Sequence, residues 1–174
     1  MVSLGLSRLV ALQRKSLMLR NFSIKEFTDS VKAKELRIDN SLPEGLEDIA
    51  ESTLQMMQGI RDHLSAVKDD EVPITITSGY RCPKLNKAIG GGLVSDHLKA
   101  MAVDFRAPAF GTPIEVAREL SKHVDALGIG QLINEYPERG SDGWVHVSTR
   151  KPVKAFNRVI TITQAGPIVG VHKA

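Results

Sequence analysis

The chain has 174 residues, of which 42% are hydrophobic and 25% are charged, and its formal net charge is +3. This length and composition are typical of one globular domain with a buried core, and they exclude a small disulfide-stapled protein, a disordered chain and a membrane-spanning chain. The single cysteine, Cys82, excludes an internal disulfide and a zinc knuckle built from thiolates. Any bound metal must therefore be held by histidine and carboxylate side chains.

The positive charge is concentrated at the N-terminus, where residues 1–20 carry no acidic side chain but four basic ones, Arg8, Arg14, Lys15 and Arg20. The rest of the chain is nearly neutral, so its charge does not indicate nucleic acid as a partner. We interpret residues 1–20 as a basic leader outside the fold, either a mobile helix or the product of an upstream start codon with Met18 as the natural start. The leader lacks the cleavage site of an export signal. We predict a single domain over residues 21–174.

The first predicted elements are helical. Residues 22–27 (FSIKEF) predict one helical turn, and the polar segment after them predicts a clasp on the main body. Ser41 and Glu44 have the spacing of a capping box, and apolar residues recur at helical spacing over 46–67. We predict the long core helix there. His63 falls off its apolar stripe, which indicates a solvated helix face.

Two strands are predicted on either side of a loop rich in glycine and proline. Residues 72–77 (VPITIT) are mostly β-branched and alternate in polarity, and residues 101–106 (MAVDFR) form the second strand. The segment 78–96 between them contains four glycines and one proline, which favour an irregular, closely turning backbone. Loops of this kind commonly carry functional sites.

The C-terminal half adds a helix and three strands. The helix begins at Pro113 and closes near Gly128, and His123 in its last turn suits the helix dipole. The strands, of which the first two form a hairpin, are residues 129–136, 144–148 and 159–163. Two helices and about five strands without βαβ alternation predict an α+β fold, in which a mainly antiparallel sheet packs with the long core helix.

Three side chains are candidate metal ligands: His97, Asp104 and His146. Two imidazoles and one carboxylate form the three-ligand set of a catalytic zinc, which leaves a fourth position for water. His146 shares a strand face with Trp144, which fits an inward ligand beside an aromatic wall. The spacing of these residues along the chain is by itself a weak signal.

Four motifs follow one another between residues 78 and 148: Ser78-Gly79-Tyr80-Arg81, then Asn86 with Gly90-Gly91, then Ser95-x-His97-x-x-Ala100-x-Ala102-x-Asp104, and Trp144-x-His146. Together they resemble the zinc D-alanyl-D-alanine carboxypeptidase family, whose fold is shared with the Hedgehog signalling domain and many phage endolysins. FSIKEF and Ile38-Asp39-Asn40 are similar to small phage-encoded members. The resemblance implies a Hedgehog-like fold and Zn²⁺ on His97, Asp104 and His146. It also implies that Arg81 lies near the substrate carboxylate or the developing oxyanion.

The chain departs from this family's pattern at two positions. Ala100 replaces a glycine, which would be strained if its φ is positive. Gly143 stands where many members have a glutamate as general base, but other members have one at the end of the preceding strand, which Glu135 matches. Asp142 and Glu138 are rivals in the turn. Because a base must be held by a regular element to stay aligned, we predict Glu135.

Three further residues are predicted to bind substrate: Tyr80, Ser95 and Trp144. For Tyr80, a place in the core remains equally open. Two alternatives to the peptidase also remain open. One is an inactive Hedgehog-like module that binds peptidoglycan or builds a virion. The other is an iron oxygenase, which also uses two histidines and a carboxylate but needs a jelly roll with more strands.

These observations together predict a monomeric zinc peptidase that hydrolyses peptidoglycan stem peptides through a metal-activated water. We expect a phage or prophage lysis enzyme, made in the bacterial cytoplasm without a signal peptide, or a virion component. The short segment between Gly91 and Ser95 leaves no room for a cap over one end of the site. It therefore favours an open groove and endopeptidase action over carboxypeptidase action.

Overall fold

A six-stranded sheet forms the centre of the computed structural model, which describes residues 20–173. Its strands are β1 (Thr75–Ser78), β2 (Ala102–Arg106), β3 (Gln131–Glu135), β4 (Trp144–Ser148), β5 (Val159–Thr163) and β6 (Gly166–Val169). Their spatial order is β1-β2-β4-β3-β5-β6, and all neighbours are antiparallel except the parallel pair β3 and β5. The predicted α+β fold with a mainly antiparallel sheet is confirmed, and the sheet is not the jelly roll that an iron oxygenase needs.

The described residues form five α-helices: α1 (Ile24–Thr28), α2 (Val31–Glu35), α3 (Glu47–Lys68), α4 (Pro83–Ala88) and α5 (Pro113–Ser121). Short 3₁₀ turns cover Asp96–Lys99, Pro137–Asp142 and Ala155–Asn157. Across residues 20–173, none of these helices combines the length and the apolar character needed to cross a bilayer.

Helix α3 is the long core helix that the periodicity predicts. Its buried face includes Leu54, Met57 and Ile60, which join Val103 and Phe105 of β2 in one hydrophobic cluster. All five side chains are completely buried, so their removal from water is a major source of stability.

The predicted capping box at Ser41 and Glu44 is wrong. Helix α3 begins at Glu47, because a turn precedes it in which the Leu46 amide bonds to the Pro43 carbonyl and Gly45 has a φ of 88°. The Glu47 carboxylate reaches back to accept the Gly45 amide at 2.7 Å. The N-cap is therefore Leu46, which has no side-chain cap hydrogen bond, and the helix begins after the predicted box.

The other predicted boundaries also move. Strand β1 starts at Thr75 rather than residue 72, because the Val72 amide and carbonyl bond to Ser65 and Arg61 of α3 and not to the sheet. Helix α5 ends at Ser121, whereas the prediction extended it to near Gly128. The residues between these two positions form turns. None of α2, α4 and β6 was predicted, and α4 lies inside the segment 78–96 that was predicted to be irregular.

The segment before α3 is confirmed as a clasp on the main body. Phe27 of α1 is fully buried, and its carbonyl accepts the Tyr80 amide at 2.9 Å. The Asn40 side chain donates to the carbonyls of Thr28 and Tyr80 and accepts the Cys82 amide. The clasp thus holds the loop that begins the motif region.

The predicted basic leader, residues 1–20, lies outside the described residues apart from Arg20, whose guanidinium contacts the Asp62 carboxylate at 2.8 Å. The division into a leader and a single domain over 21–174 stays a prediction.

Candidate metal centre

The three candidate ligands come together from three elements. His97 lies in the 3₁₀ turn Asp96–Lys99, while Asp104 and His146 are direct partners on the adjacent strands β2 and β4. All three residues are buried. Because 42 residues separate Asp104 from His146 along the chain, only the pairing of β2 with β4 brings them together.

The distances between the donor atoms suit a tetrahedral metal. Asp104 Oδ1 lies 2.7 Å from His146 Nδ1 and 3.2 Å from His97 Nε2, and the two imidazole nitrogens are 3.3 Å apart. In a tetrahedral zinc site with bonds of about 2.0 Å, the ligand atoms lie about 3.3 Å from one another. The donor set and its spacing therefore fit zinc.

The orientation of His97 is set by the loop. Its Nδ1 donates to the Gly79 carbonyl at 2.7 Å, which directs Nε2 to the cluster. Position 79 must be glycine, since a Cβ there would lie 2.2 Å from the Phe27 carbonyl oxygen. Asp96, beside His97, accepts bonds from Ser148 at 2.8 Å and from Arg150, and so anchors the turn. The sequence analysis missed Asp96, whose only signal was its place next to a ligand.

The φ of Ala100 is positive, which is the condition under which an alanine in place of the family's glycine is strained. Its φ is 56° and its ψ is 24°, in the left-handed region that a non-glycine residue enters at a cost of about 1–2 kcal/mol. The methyl group is fully buried and the Ala100 carbonyl accepts the Thr53 hydroxyl at 2.8 Å. Burial and this hydrogen bond offset the strain and keep the turn beside His97 in place.

Electrostatics in the cluster favour a charged carboxylate and a neutral His97. Burial alone would raise the pKa of Asp104, but the neighbouring His97 and His146 hold it well below its usual range. Burial lowers the pKa of His97. For His146, burial is outweighed by Asp104 and Glu135, which raise its pKa. The site thus holds one carboxylate and one neutral imidazole, both forms that bind metals.

Glu135 ends strand β3 directly opposite Trp144 of β4, as the predicted hairpin requires. Its Oε1 is 4.0 Å from His146 Nδ1, and only 17% of its side chain is exposed. Burial and the charge of Asp104 raise the pKa of Glu135 to about 7. A carboxyl group with this pKa is poised to exchange a proton near neutral pH.

The rival acids lie elsewhere. Glu138 and Asp142 are exposed on the 3₁₀ turn, and the Glu138 carboxylate accepts the Gln164 amide. At Gly143, a Cβ would lie 2.8 Å from the carbonyl oxygens of Glu135 and Tyr136, so a glutamate would not fit there without a backbone shift. Among the predicted acids, the geometry therefore favours Glu135.

Arg81 reaches the cluster from the loop after β1. Its guanidinium contacts Asp104 Oδ2, lies 3.2 Å from His97 Nε2 and donates to Ser78 Oγ at 2.8 Å. A guanidinium has five N–H donors, more than these three contacts occupy. Arg81 can therefore support Asp104 and still present a positive charge to a ligand.

The predicted substrate-binding residues are placed differently from one another. Tyr80 is 95% buried and also belongs to the lining of a cleft beside Arg81, and its role in substrate binding stays a prediction. Trp144 is half-buried next to Glu135. Ser95 precedes the turn of His97, and its side chain makes no capping bond to that turn.

The sequence did not indicate two further residues near Glu135, Tyr136 and Arg139. Tyr136 packs against Trp144 with ring centroids 5.1 Å apart, and the Arg139 guanidinium lies 4.3 Å from the Tyr136 ring centre. Tyr136 ends the predicted strand 129–136, and the segment 137–143 that contains Arg139 was interpreted only as a turn, so neither residue was predicted to lie at the rim of the site. These side chains add an aromatic and cationic wall beside Glu135.

A cleft of about 610 Å³ adjoins the cluster on the β1 side. Arg81 lines it from the motif loop, Lys25, Lys32 and Lys34 line it from α1 and α2, and the acidic residues Glu26 and Asp29 line it as well. The three candidate ligands and Glu135 are not part of this lining. Its dimensions suit a short peptide or a comparable ligand.

Residues 20–148 match the family model described as Peptidase M15. The match covers about three quarters of the chain and includes the three clustered donors and Glu135. No curated protein matches the chain.

Proposed function

We infer the function from one premise, that this chain belongs to the peptidase M15 family, a family of zinc-dependent metallopeptidases that act on peptidoglycan. We propose that it hydrolyses peptide bonds of peptidoglycan stem peptides, with His97, Asp104 and His146 as zinc ligands. The observation that carries this proposal is a buried set of three donors at zinc-like spacing beside a carboxyl group of raised pKa.

Side chains of the protein orient the metal ligands and transfer the proton in the proposed reaction. Zinc, when bound, lowers the pKa of water to about 7 and polarises a substrate carbonyl. Glu135 then accepts the proton of the attacking water at its carboxylate and returns it to the leaving amine nitrogen. Its pKa of about 7 suits both directions of transfer. His97 is held in orientation by the Gly79 carbonyl, which accepts its Nδ1–H and leaves Nε2 for the metal.

The cleft supports a peptide with free carboxylates as the substrate. Arg81 and three lysines line it against two acidic residues, Glu26 and Asp29, so the lining keeps a net positive charge that suits the carboxylates on the side chains and ends of stem peptides. The turn that carries Leu93 and Val94 stays short and exposed and builds no cap over the site. We therefore propose endopeptidase action in a groove that extends past both sides of the cleaved bond. The similarity of the N-terminal motifs to phage-encoded members supports a lysis enzyme.

Zinc-loaded protein should release new amino groups from purified peptidoglycan, a chelator should abolish the release, and added zinc should restore it. Mass spectrometry of the digested muropeptides identifies the bond, for which we expect a cut within the stem or the cross-bridge. Loss of only a terminal D-alanine would contradict endopeptidase action. A zinc-loaded protein that releases no amino groups from any wall would favour the inactive binding module.

Arg81→Ala should lower kcat/KM on wall peptides by about 10- to 100-fold, because a charge-assisted hydrogen bond contributes about 1.5–3 kcal/mol. The zinc content of the variant decides how Arg81 acts. Retained zinc with a higher KM indicates contact with substrate, whereas lost zinc indicates that Arg81 serves by holding Asp104. Lys84→Ala, at an exposed position of α4, is the control and should stay close to wild type. Unchanged activity of Arg81→Ala would remove Arg81 from the site.

A further inference from the structure

A second group of metal-binding side chains lies between helices α3 and α5. It consists of His63 in α3, Glu119 in α5 and His123 in the turn that follows α5, and shares no residue with the first cluster. The sequence pattern indicated a solvated face for His63 and a helix-dipole contact for His123. Both interpretations are incomplete, because His63 is half-buried and both imidazoles face Glu119.

The geometry of this group resembles that of a metal site. One carboxylate oxygen, Glu119 Oε1, lies 3.1 Å from His63 Nε2 and 3.4 Å from His123 Nε2. All three donor atoms lie within 4.8 Å of one another, and the two rings are 4.5 Å apart. The two shorter distances are close to the edge of about 3.3 Å in a tetrahedral zinc site. A small rotation of His123, whose side chain is 42% exposed, would bring the third distance into that range.

The charges around the group allow a cation to enter. Lys122 pairs with the other carboxylate oxygen, Glu119 Oε2, at 2.7 Å, and this leaves Oε1 directed at the two histidines. The hydrogen bond from Lys122, together with the His63 contact, holds the pKa of Glu119 below its usual range, so the carboxylate is charged. Two imidazoles and one carboxylate are ligands for zinc and similar transition metals, whereas calcium and magnesium prefer sites made of oxygen alone.

We propose that His63, Glu119 and His123 bind a second zinc ion that links α3 to α5. The ion binds the folded chain and not the unfolded chain, because His63 and Glu119 are 56 residues apart in the sequence and meet only in the fold. It therefore stabilises the packing of these two helices. This site stands apart from the proposed catalytic function and does not depend on it.

The untagged chain equilibrated at micromolar free zinc should hold two zinc ions by mass spectrometry of the metal, and His123→Ala should hold one. His172→Ala, which removes a histidine outside both clusters, should still hold two. Two zinc ions retained by His123→Ala would overturn the second site, as would a single zinc ion in the wild type that His123→Ala also retains. Asp104→Asn should hold one ion and the double variant Asp104→Asn/His123→Ala none, so loss of the catalytic zinc and loss of the second zinc are distinguishable.

A second measurement separates metal binding from a hydrogen-bonded cluster. Zinc should raise the Tm of the wild type by about 5 °C more than it raises the Tm of His123→Ala, and calcium should not change either Tm. Because His123 is partly exposed, its replacement by alanine should leave the fold intact. Equal zinc-induced shifts in the two proteins would mean that Glu119 only accepts hydrogen bonds from the histidines.

Discussion

Glu135→Gln is expected to lower the turnover of wall peptides by about 10²- to 10⁴-fold, the usual contribution of a general base. Glutamine keeps the size of the side chain and its place opposite Trp144 but cannot accept the proton of the attacking water. The loss should appear in kcat, while the zinc content stays that of the wild type. Amino-group release from purified peptidoglycan, with metal analysis of the same sample, measures both quantities.

The matched controls are Glu138→Gln and Asp142→Asn, which remove the rival acids from exposed positions of the neighbouring turn. Both variants should keep nearly full activity. Wild-type turnover of Glu135→Gln, or an equal loss in one of the controls, would show that the base is assigned to the wrong residue.

Stability gives an independent readout for Glu135→Gln. A carboxyl group whose pKa rises from 4.5 to about 7 on folding resists ionisation in the folded state. The metal-free wild type therefore loses stability as pH rises from about 4.5 through 7, by at most about 3 kcal/mol. The glutamine variant lacks this loss, so above pH 7 it should be the more stable protein in urea unfolding. A less stable variant would indicate that Glu135 serves the fold rather than the reaction.

Asp104→Asn is expected to abolish measurable wall hydrolysis and to reduce the zinc content by one ion per chain. Asp104 Oδ1 lies within hydrogen-bond distance of both histidines of the cluster and is the proposed ligand atom, and an amide oxygen is a far poorer zinc ligand than a carboxylate. The change also removes the charged partner of the partly buried Arg81 guanidinium, which should lower the free energy of unfolding by about 1–3 kcal/mol. Metal analysis, activity and urea unfolding together measure these effects.

His146→Gln provides the same test without removing the partner of Arg81, in case Asp104→Asn does not fold. It should lose one zinc ion and the activity while it keeps more of the wild-type stability. Full zinc content and normal hydrolysis in a folded His146→Gln protein would contradict the assignment of the metal ligands.

Much of the fold could be predicted from local patterns. The buried stripe of α3 and the strands β2, β4 and β5 follow from periodicities that depend on nearby residues alone. Element ends were less predictable, because long-range partners set them. The start of β1 is an example, since α3 takes up the backbone groups of Val72 that a strand would otherwise use.

The candidate site divides in the same way. The order of the motifs indicated His97, Asp104 and His146 as metal ligands. The absence of a glutamate at Gly143 favoured Glu135 as the general base. Their distances, however, depend on the register of β2, β4 and β3, and the pKa of Glu135 depends on how deeply that arrangement buries it. The roles of Glu135 and Arg81 stay predictions until the variants are measured.

The sequence by itself determined the α+β class, the core helix and the identity of the candidate ligands, because periodicity and motif order are properties of neighbouring residues. Only the tertiary structure decided which histidines meet a carboxylate. His63 and His123 have unremarkable positions along the chain, yet the packing of α3 against α5 brings both to Glu119. Such clusters form between residues far apart in sequence, and no local pattern records the packing that unites them.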